Sequence, residues 1–302
     1  MTEHRVKIGC LGEVMLELVL GNGTAAELGV AGDTYNTAVY LAHVQPELQI
    51  DYITGLGADG FSKRIFQHMQ KFGLGSSRVF THPTRGPGLY AIETDAQGER
   101  SFTYWRSAAA ARCLGDPDTP DISELLSGLT HLYYSGISLA ILEQANRDRL
   151  FQAIDAFREG GGIVAFDSNY RPHLWNDQSL AQRETAAAWA RCDIGMPSVD
   201  DEMALFEDQS DDAVIERFKD YDIPMGTLKR GDKGPMSLDG VAIQTTTRPE
   251  AVVDTTAAGD SFNAGYLAAL IAGQSNSQAM SAGHTLACRV VAHKGAIIFG
   301  KE

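Results

Sequence analysis

The chain has 302 residues, 44% of them hydrophobic and 21% charged, enough for one large α/β core or a core with a smaller appendage, and too apolar for wholesale disorder. Its 25 basic and 39 acidic residues leave a formal charge of -14. That balance argues against a broad face for nucleic acid or anionic membrane, while a few clustered arginines could still hold a small anionic substrate.

The amino terminus enters a strand pattern almost at once, without the apolar region of a signal peptide. No apolar run approaches the roughly 20 residues that span a bilayer, so a cytoplasmic protein with no membrane partner is expected. Residues 6–11 read as a buried strand and 14–20 as a second, more alternating one. Asp33 is the predicted N-cap of an apolar-periodic helix over 34–44. Residues 50–55 read as a strand and 61–72 as a helix that stops at Gly73. Between them, Gly55-Leu56-Gly57-Ala58-Asp59-Gly60 has the spacing of a dinucleotide-binding turn. Such a turn requires an acid about 20 residues further on, yet no Asp or Glu lies between Gly60 and Glu93. It is read as a structural βα turn.

Residues 88–94 and 100–105 read as a hairpin around Asp95-Ala96-Gln97-Gly98. From about Leu129, short apolar runs at 131–135, 162–167, 193–196 and 224–229 alternate with helical patterns. Two helices follow, at about 257–271 and 277–293. The expected fold is a single α/β domain over 1–302, a doubly wound (Rossmann-like), mainly parallel sheet with a small β lid. The lid comes from segments near 12–32 and 86–107, and ligands belong at the carboxyl ends of the strands. Cys10, Cys113, Cys192 and Cys288 form no Cys-x-x-Cys pair, and the eight histidines no His-Glu-x-x-His spacing. Reduced, mostly buried thiols are expected, and a zinc enzyme is not.

The sharpest motif is Asp254-Thr255-Thr256-Ala257-Ala258-Gly259-Asp260, placed just before an apolar helix. Small residues there let the backbone approach a ligand, and unpaired N–H groups at the helix start form an anion site. Asp260 could accept the proton of an attacking hydroxyl. On the residues alone, a small-residue turn with Asp260 complementing the helix start serves equally well. Ala31-Gly32-Asp33-Thr34-Tyr35-Asn36 offers close approach at Gly32 and polar groups at Asp33 and Asn36 for sugar hydroxyls, or simply a helix cap. Tyr90, Tyr104 and Arg106 on the hairpin can point at one ligand, and the planar fork of arginine suits a carboxylate. Aromatic cover for the core is the other use of such a hairpin. Asp167-Ser168-Asn169-Tyr170-Arg171-Pro172-His173-Leu174-Trp175 and Leu228-Lys229-Arg230-Gly231-Asp232-Lys233-Gly234 each follow a core strand. The second, read bare, is only a basic turn. No Walker A sequence occurs, so any ATP use is not of the P-loop type.

Taken in order, from about residue 9 to 298, these segments resemble the ribokinase-like (PfkB) carbohydrate kinases. The stretch 254–260 is similar to that family's Asp-Thr-x-Gly-Ala-Gly-Asp signature. The segments at 88–90, 104–106 and 167–175 resemble its branch acting on the sugar acid 2-keto-3-deoxygluconate. The resemblance implies ATP and Mg²⁺ as cofactors, Asp260 as catalytic base, and Ala257, Ala258 and Gly259 as anion-hole backbone. It implies Gly32, Asp33, Asn36, Tyr90, Tyr104, Arg106 and Arg171 around the sugar, and Ser168, Asn169, Lys229, Gly231 and Gly234 around the nucleotide. Ala257 stands where the signature has Gly, which is tolerable only with negative φ. Ser198 replaces the Asn of the family's Asn-x-x-Glu segment, so Asp201 or Glu202 must take the carboxylate role and the metal ligands stay unassigned. The implied reaction is phosphorylation of the terminal hydroxyl to give the 6-phosphate. A kinase for a neutral sugar, an inactive sugar-binding regulator and a nicotinamide dehydrogenase are the alternatives. Lid strands with free edges imply a homo-oligomer.

Overall fold

Short apolar runs separated by amphipathic helices have one favourable arrangement, a parallel sheet covered on both faces. The computed structural model describes residues 6–21, 25–94, 100–244 and 247–299; the expected turn Asp95-Ala96-Gln97-Gly98 lies outside them. In chain order the strands are β1 (Lys7–Leu11), β2 (Met15–Leu20), β3 (Ala26–Ala31), β4 (Gln49–Leu56), β5 (Val79–Thr81), β6 (Gly88–Thr94), β7 (Arg100–Trp105), β8 (His131–Ser135), β9 (Ile163–Asp167), β10 (Ile194–Gly195), β11 (Met225–Leu228) and β12 (Met236–Ser237). Eight of them form one sheet in the order β12-β11-β10-β9-β8-β1-β4-β5. All its pairings are parallel except that of the edge strand β12.

Side chains alternate across this sheet, as the two-residue period of a strand requires. Leu132 and Tyr134 enter one core with Phe166, Leu150, Trp189 and Phe218. Tyr133, between them, enters the opposite core with Tyr35, Tyr40, Tyr52 and Tyr266. In that second layer the helix Ala258–Ile271 packs between the helices Asp33–Val44 and Asn276–Val291. Every residue from Ser261 to Ala269 is buried, the mark of a helix with apolar neighbours all round. Close approach is possible because Gly265 and Gly283 face each other: a Cβ on Gly283 would stand 2.8 Å from the Phe262 carbonyl oxygen.

From β1, strands β4 and β5 run one way and β8 to β12 the other, so the order reverses between β1 and β8. A crevice opens there beyond the strand carboxyl ends, the place such sheets bind ligands. Over it lies a second sheet, β3-β2-β6-β7, built from excursions that follow β1 and β5. Its register sets Tyr90 opposite Tyr104 and Ile92 opposite Phe102, which puts the aromatic rings on one face.

The expected strands and helices are present within a few residues, with three differences. Residues 26–31 form a strand that the sequence reading did not separate, because its mostly exposed residues carry little alternation. The helix at 33–44 begins at Asp33 itself, and its N-cap is Gly32 without a side-chain bond. The Asp33 carboxylate is drawn away to accept hydrogen bonds from Ser135 and Asn169 instead. The helix expected from 277 starts one residue earlier, at Asn276, and is capped by Ser275 in a capping box with Gln278. Asp59 caps the helix Gly60–Lys71 by accepting from the amides of Phe61 and Ser62, so the Gly55–Gly60 segment is a structural turn. The four cysteines are buried and unpaired. No helix among the described residues is long and apolar enough to cross a membrane.

Candidate active site

The turn ahead of the helix Ala258–Ile271 is fixed by Asp254. One of its oxygens accepts from the amide and hydroxyl of Thr256 at 3.0 and 2.7 Å, the other from the amide of Gly295 at 2.7 Å. This clamp forces Ala257 into the left-handed region, φ 61° and ψ 18°. The expectation of negative φ there is wrong, and the methyl is carried at a cost in strain. The amide of Ala258 is taken by the Thr255 carbonyl at 3.1 Å, whereas those of Ala257, Gly259 and Asp260 donate to no acceptor among the described residues. Three outward N–H groups at a helix entrance make an anion site.

Asp260 occupies the first turn, half-buried. Its Oδ2 accepts from Asn36 Nδ2 at 2.8 Å. Burial and the neighbouring Asp33 carboxylate push its carboxyl up to about 8, with Asn36 opposing, Asp167 adding and Lys229 opposing. A carboxylate so poised is a competent proton acceptor near neutral pH.

Beneath the crevice a chain of polar groups connects Asp260 to Asp167 and Lys229. Thr37 Oγ1 donates to the Asp260 carbonyl at 3.1 Å and to Tyr133 Oη at 3.3 Å. Asn263 donates to Tyr133 Oη at 3.1 Å and to Asp167 Oδ2 at 2.6 Å. Lys229 donates to Asp167 at 2.8 Å and to Asn263 at 3.1 Å. Asp167 and Asn263 received no role from the sequence. The available signal was the position of Asn263, a polar residue inside an otherwise apolar helix, which has to find buried partners.

The crevice encloses a cavity of about 1140 Å³, large enough for two ligands side by side. Gly32, Asp33, Asn36, Tyr90, Tyr104, Arg106, Asn169, Arg171, Lys229, Gly231 and the stretch Ala257–Asp260 all line it. Of the remaining expected residues, Ser168 is 1% exposed and receives the Ser198 amide at 3.5 Å, behind the wall. Gly234 lies off the lining, its carbonyl taken by Arg230 Nε at 3.0 Å. The two arginines are not bare. Arg106 donates to Glu13, which the sequence reading left without a role, and Arg171 lies 3.3 Å from Asp201. The hydroxyl of Tyr90 donates to Glu17, and its ring packs 5.7 Å from that of Tyr104. Tyr104 in turn stacks on His173. Between the two carboxylates considered for the metal segment the geometry discriminates. Asp201 lines the cavity, whereas Glu202 is 0% exposed and bound to Arg217 at 2.8 Å. Burial pushes both acids up, Asp201 to about 6 against Arg171 and Glu202 to about 7 against Arg217. On the far side His284 and Cys288, one helical turn apart, also line the cavity, and neither was foreseen.

Compared with known families, residues 7–301 match the pfkB family of carbohydrate kinases. The chain belongs to that family. A 2-dehydro-3-deoxygluconokinase of Dickeya dadantii (strain 3937) is 42% identical over 299 residues, 96% of each chain. That of Escherichia coli (strain K12) is 41% identical over 300 residues, 97% of each. Among solved structures, a 2-dehydro-3-deoxygluconokinase from Thermotoga maritima superposes with a TM-score of 0.81, covering 97% of this chain and 96% of the other. At 18% identity that likeness establishes the fold. A pfkB kinase uses ATP and a sugar.

Proposed function

We propose that the chain transfers the γ-phosphoryl group of ATP to the terminal primary hydroxyl of 2-keto-3-deoxygluconate, giving 2-keto-3-deoxy-6-phosphogluconate and ADP. The observation that carries this reading is Asp260, a carboxylate with a raised pKa beside three unbonded amides at a helix entrance. Full-length likeness to the enzymes named above supplies the substrate. Tyr90, Tyr104, Arg106 and Arg171 on the cavity wall support it, because an acid group needs guanidinium partners. Gly32, Asp33 and Asn36 are assigned to the sugar hydroxyls. Lys229, Gly231 and Asn169 are assigned to the nucleotide side.

In this reading the sugar hydroxyl attacks the γ-phosphorus while its proton passes to Asp260. The bond to the β,γ-bridging oxygen breaks, and the amides of residues 257, 259 and 260 face the charge on the transferring group. The aromatic lid keeps water from competing with the sugar. Mg²⁺ fits as an ion carried by the nucleotide phosphates, since no cluster of three or more His, Cys, Asp or Glu groups exists among the described residues to cage it. Asp201, rather than Glu202, is the carboxylate we assign to it. Bound there it would offset phosphate charge.

The test is ADP release measured over a panel of sugars and sugar acids. The acid should be turned over, and Asp260→Asn should lower its turnover by about 10²–10⁴-fold, the range for a lost general base. Near-normal turnover in that variant would remove Asp260 from the mechanism. Turnover of a neutral ketose with the acid ignored would point to a fructokinase-like enzyme. One observation favours that second reading: both arginines already hold a carboxylate.

A further inference from the structure

The two arginine–carboxylate pairs differ in kind. Arg171 and Asp201 lie partly in solvent, with side chains 45% and 21% exposed, where such a pair contributes little. Glu13 and Arg106 are 1% and 8% exposed. Glu13 accepts from Arg106 Nη2 through Oε2, while the buried Glu13 Oε1 and Arg106 Nε have no hydrogen-bond partner among the described residues. Arg106 lines the cavity, and its Nη1 makes no hydrogen bond to a described residue. The recess around the acid is made by missing side chains. A Cβ on Gly88 would stand 2.5 Å from Glu13 Oε1, and one on Gly32 would stand 2.3 Å from the Glu13 carbonyl oxygen. A half-satisfied buried ion pair is a poor source of stability, and apolar residues of similar volume commonly replace one without loss. Its place in a ligand wall calls for a use in binding.

We propose that Glu13 is the positioning residue that fits Arg106 to a carboxylate ligand, holding the guanidinium by one edge and taking up a proton when the acid of the sugar docks on the other. The proposal rests on the sugar-acid reading above. Before docking, the charges of Arg106 and Glu13 cancel. Afterwards one guanidinium faces two carboxylates in surroundings with little water, and the added like charge raises the affinity of Glu13 for a proton. Burial already holds its carboxyl above the usual range against the pull of Arg106; the other charged groups facing it, Arg112 and Asp33, act in opposite directions. The proton comes from solvent, and no bond in the sugar changes. A neutral sugar leaves the pair as it was, so selection for the acid needs no permanently unpaired buried charge.

The experiment is calorimetric titration of the full chain with 2-keto-3-deoxygluconate, in buffers of different ionisation heat, which counts protons taken up on binding. At pH values where Glu13 of the free chain is ionised, the wild type should take up as much as about one proton more than Glu13→Gln. Wild-type affinity should weaken with rising pH by up to about tenfold per unit relative to the variant. A pair with a structural role only would lower the stability of the variant and leave the proton count unchanged. Should Glu13→Gln fail to fold, the wild type is titrated with the acid and with an analogue whose carboxylate is replaced by hydroxymethyl. The acid should then show the extra proton and the neutral analogue should not. Equal proton counts in either comparison overturn the role of Glu13 and leave the sugar-acid reading standing. If the acid is neither bound nor phosphorylated, that reading falls, and the proposal with it.

Discussion

Ala257 and Asp260, three residues apart, show opposite relations between function and stability. Holding an alanine at φ 61° costs about 1–2 kcal/mol, and a glycine returns about 0.4–1 kcal/mol of that through the freedom of its unfolded chain. Ala257→Gly should therefore raise the unfolding free energy by about 0.5–1 kcal/mol, read from the urea midpoint at unchanged slope. A lowered midpoint would show that the left-handed backbone is not strained. Asp260 acts through charge. Its folded pKa of about 8 lies above the ordinary value of 3.8, so the folded state holds the proton more tightly and stability falls as pH rises from about 4 to 8. Asp260→Asn should be more stable than wild type at pH 8–9, and that advantage should vanish near pH 4. Equal stability curves would mean that the carboxylate is not held in a low-dielectric setting. The place of Asp260 at the helix start was legible in the sequence through its motif, but the φ of Ala257 follows from Asp254 reaching Gly295 forty-one residues away, which no local pattern records.

At the scale of elements, helices and strands with a clear period were read to within a few residues, because burial of one face dictates that period. Asp33 was misread for the reason that makes it useful. An Asp at a helix start is usually a cap, and here Ser135 and Asn169, over a hundred residues distant, claim its carboxylate. The helix Ala258–Ile271 was legible as apolar, whereas its crossing with Asn276–Val291 through paired glycines was not. That crossing is open to test. Gly283→Val would drive a Cβ to 2.8 Å from the Phe262 carbonyl and should cost about 1–3 kcal/mol, as overpacking does. Gly60→Ala, at a helix start with nothing within 4 Å of the added Cβ, should be neutral or slightly stabilising. Similar losses at both sites by denaturant unfolding would dissociate the cost from that contact.

For the whole molecule, the mainly parallel sheet followed from the alternation of strands with helices and the lid from two β-rich excursions, whereas the order of the strands did not. How the lid and sheet enclose one cavity required coordinates, since the wall joins residues from Glu13 to Val291. The two lid edges, β3 and β7, leave Leu28 39% and Trp105 58% exposed. We propose that lid strands pair between copies, because an open edge with apolar residues is prone to strand addition. Sedimentation should then give a mass above the 32.6 kDa of one chain, and Trp105→Lys should shift it toward that value. A wild-type monomer at all concentrations would sink the idea.

Both lid excursions leave and rejoin the framework at its rim, between β1 and the helix at 33 and between β5 and the turn at 110. The lid wall of the cavity, with Tyr90 and Tyr104, is thus a cassette spliced into the chain twice, while Asp33, Asn36, Arg171 and the helix entrance at Ala257–Asp260 lie on uninterrupted scaffold. Grafting both inserts together from a relative with another preference would be the natural route to re-aim such a catalyst, and exchanging one alone would split the β2–β6 seam that joins them.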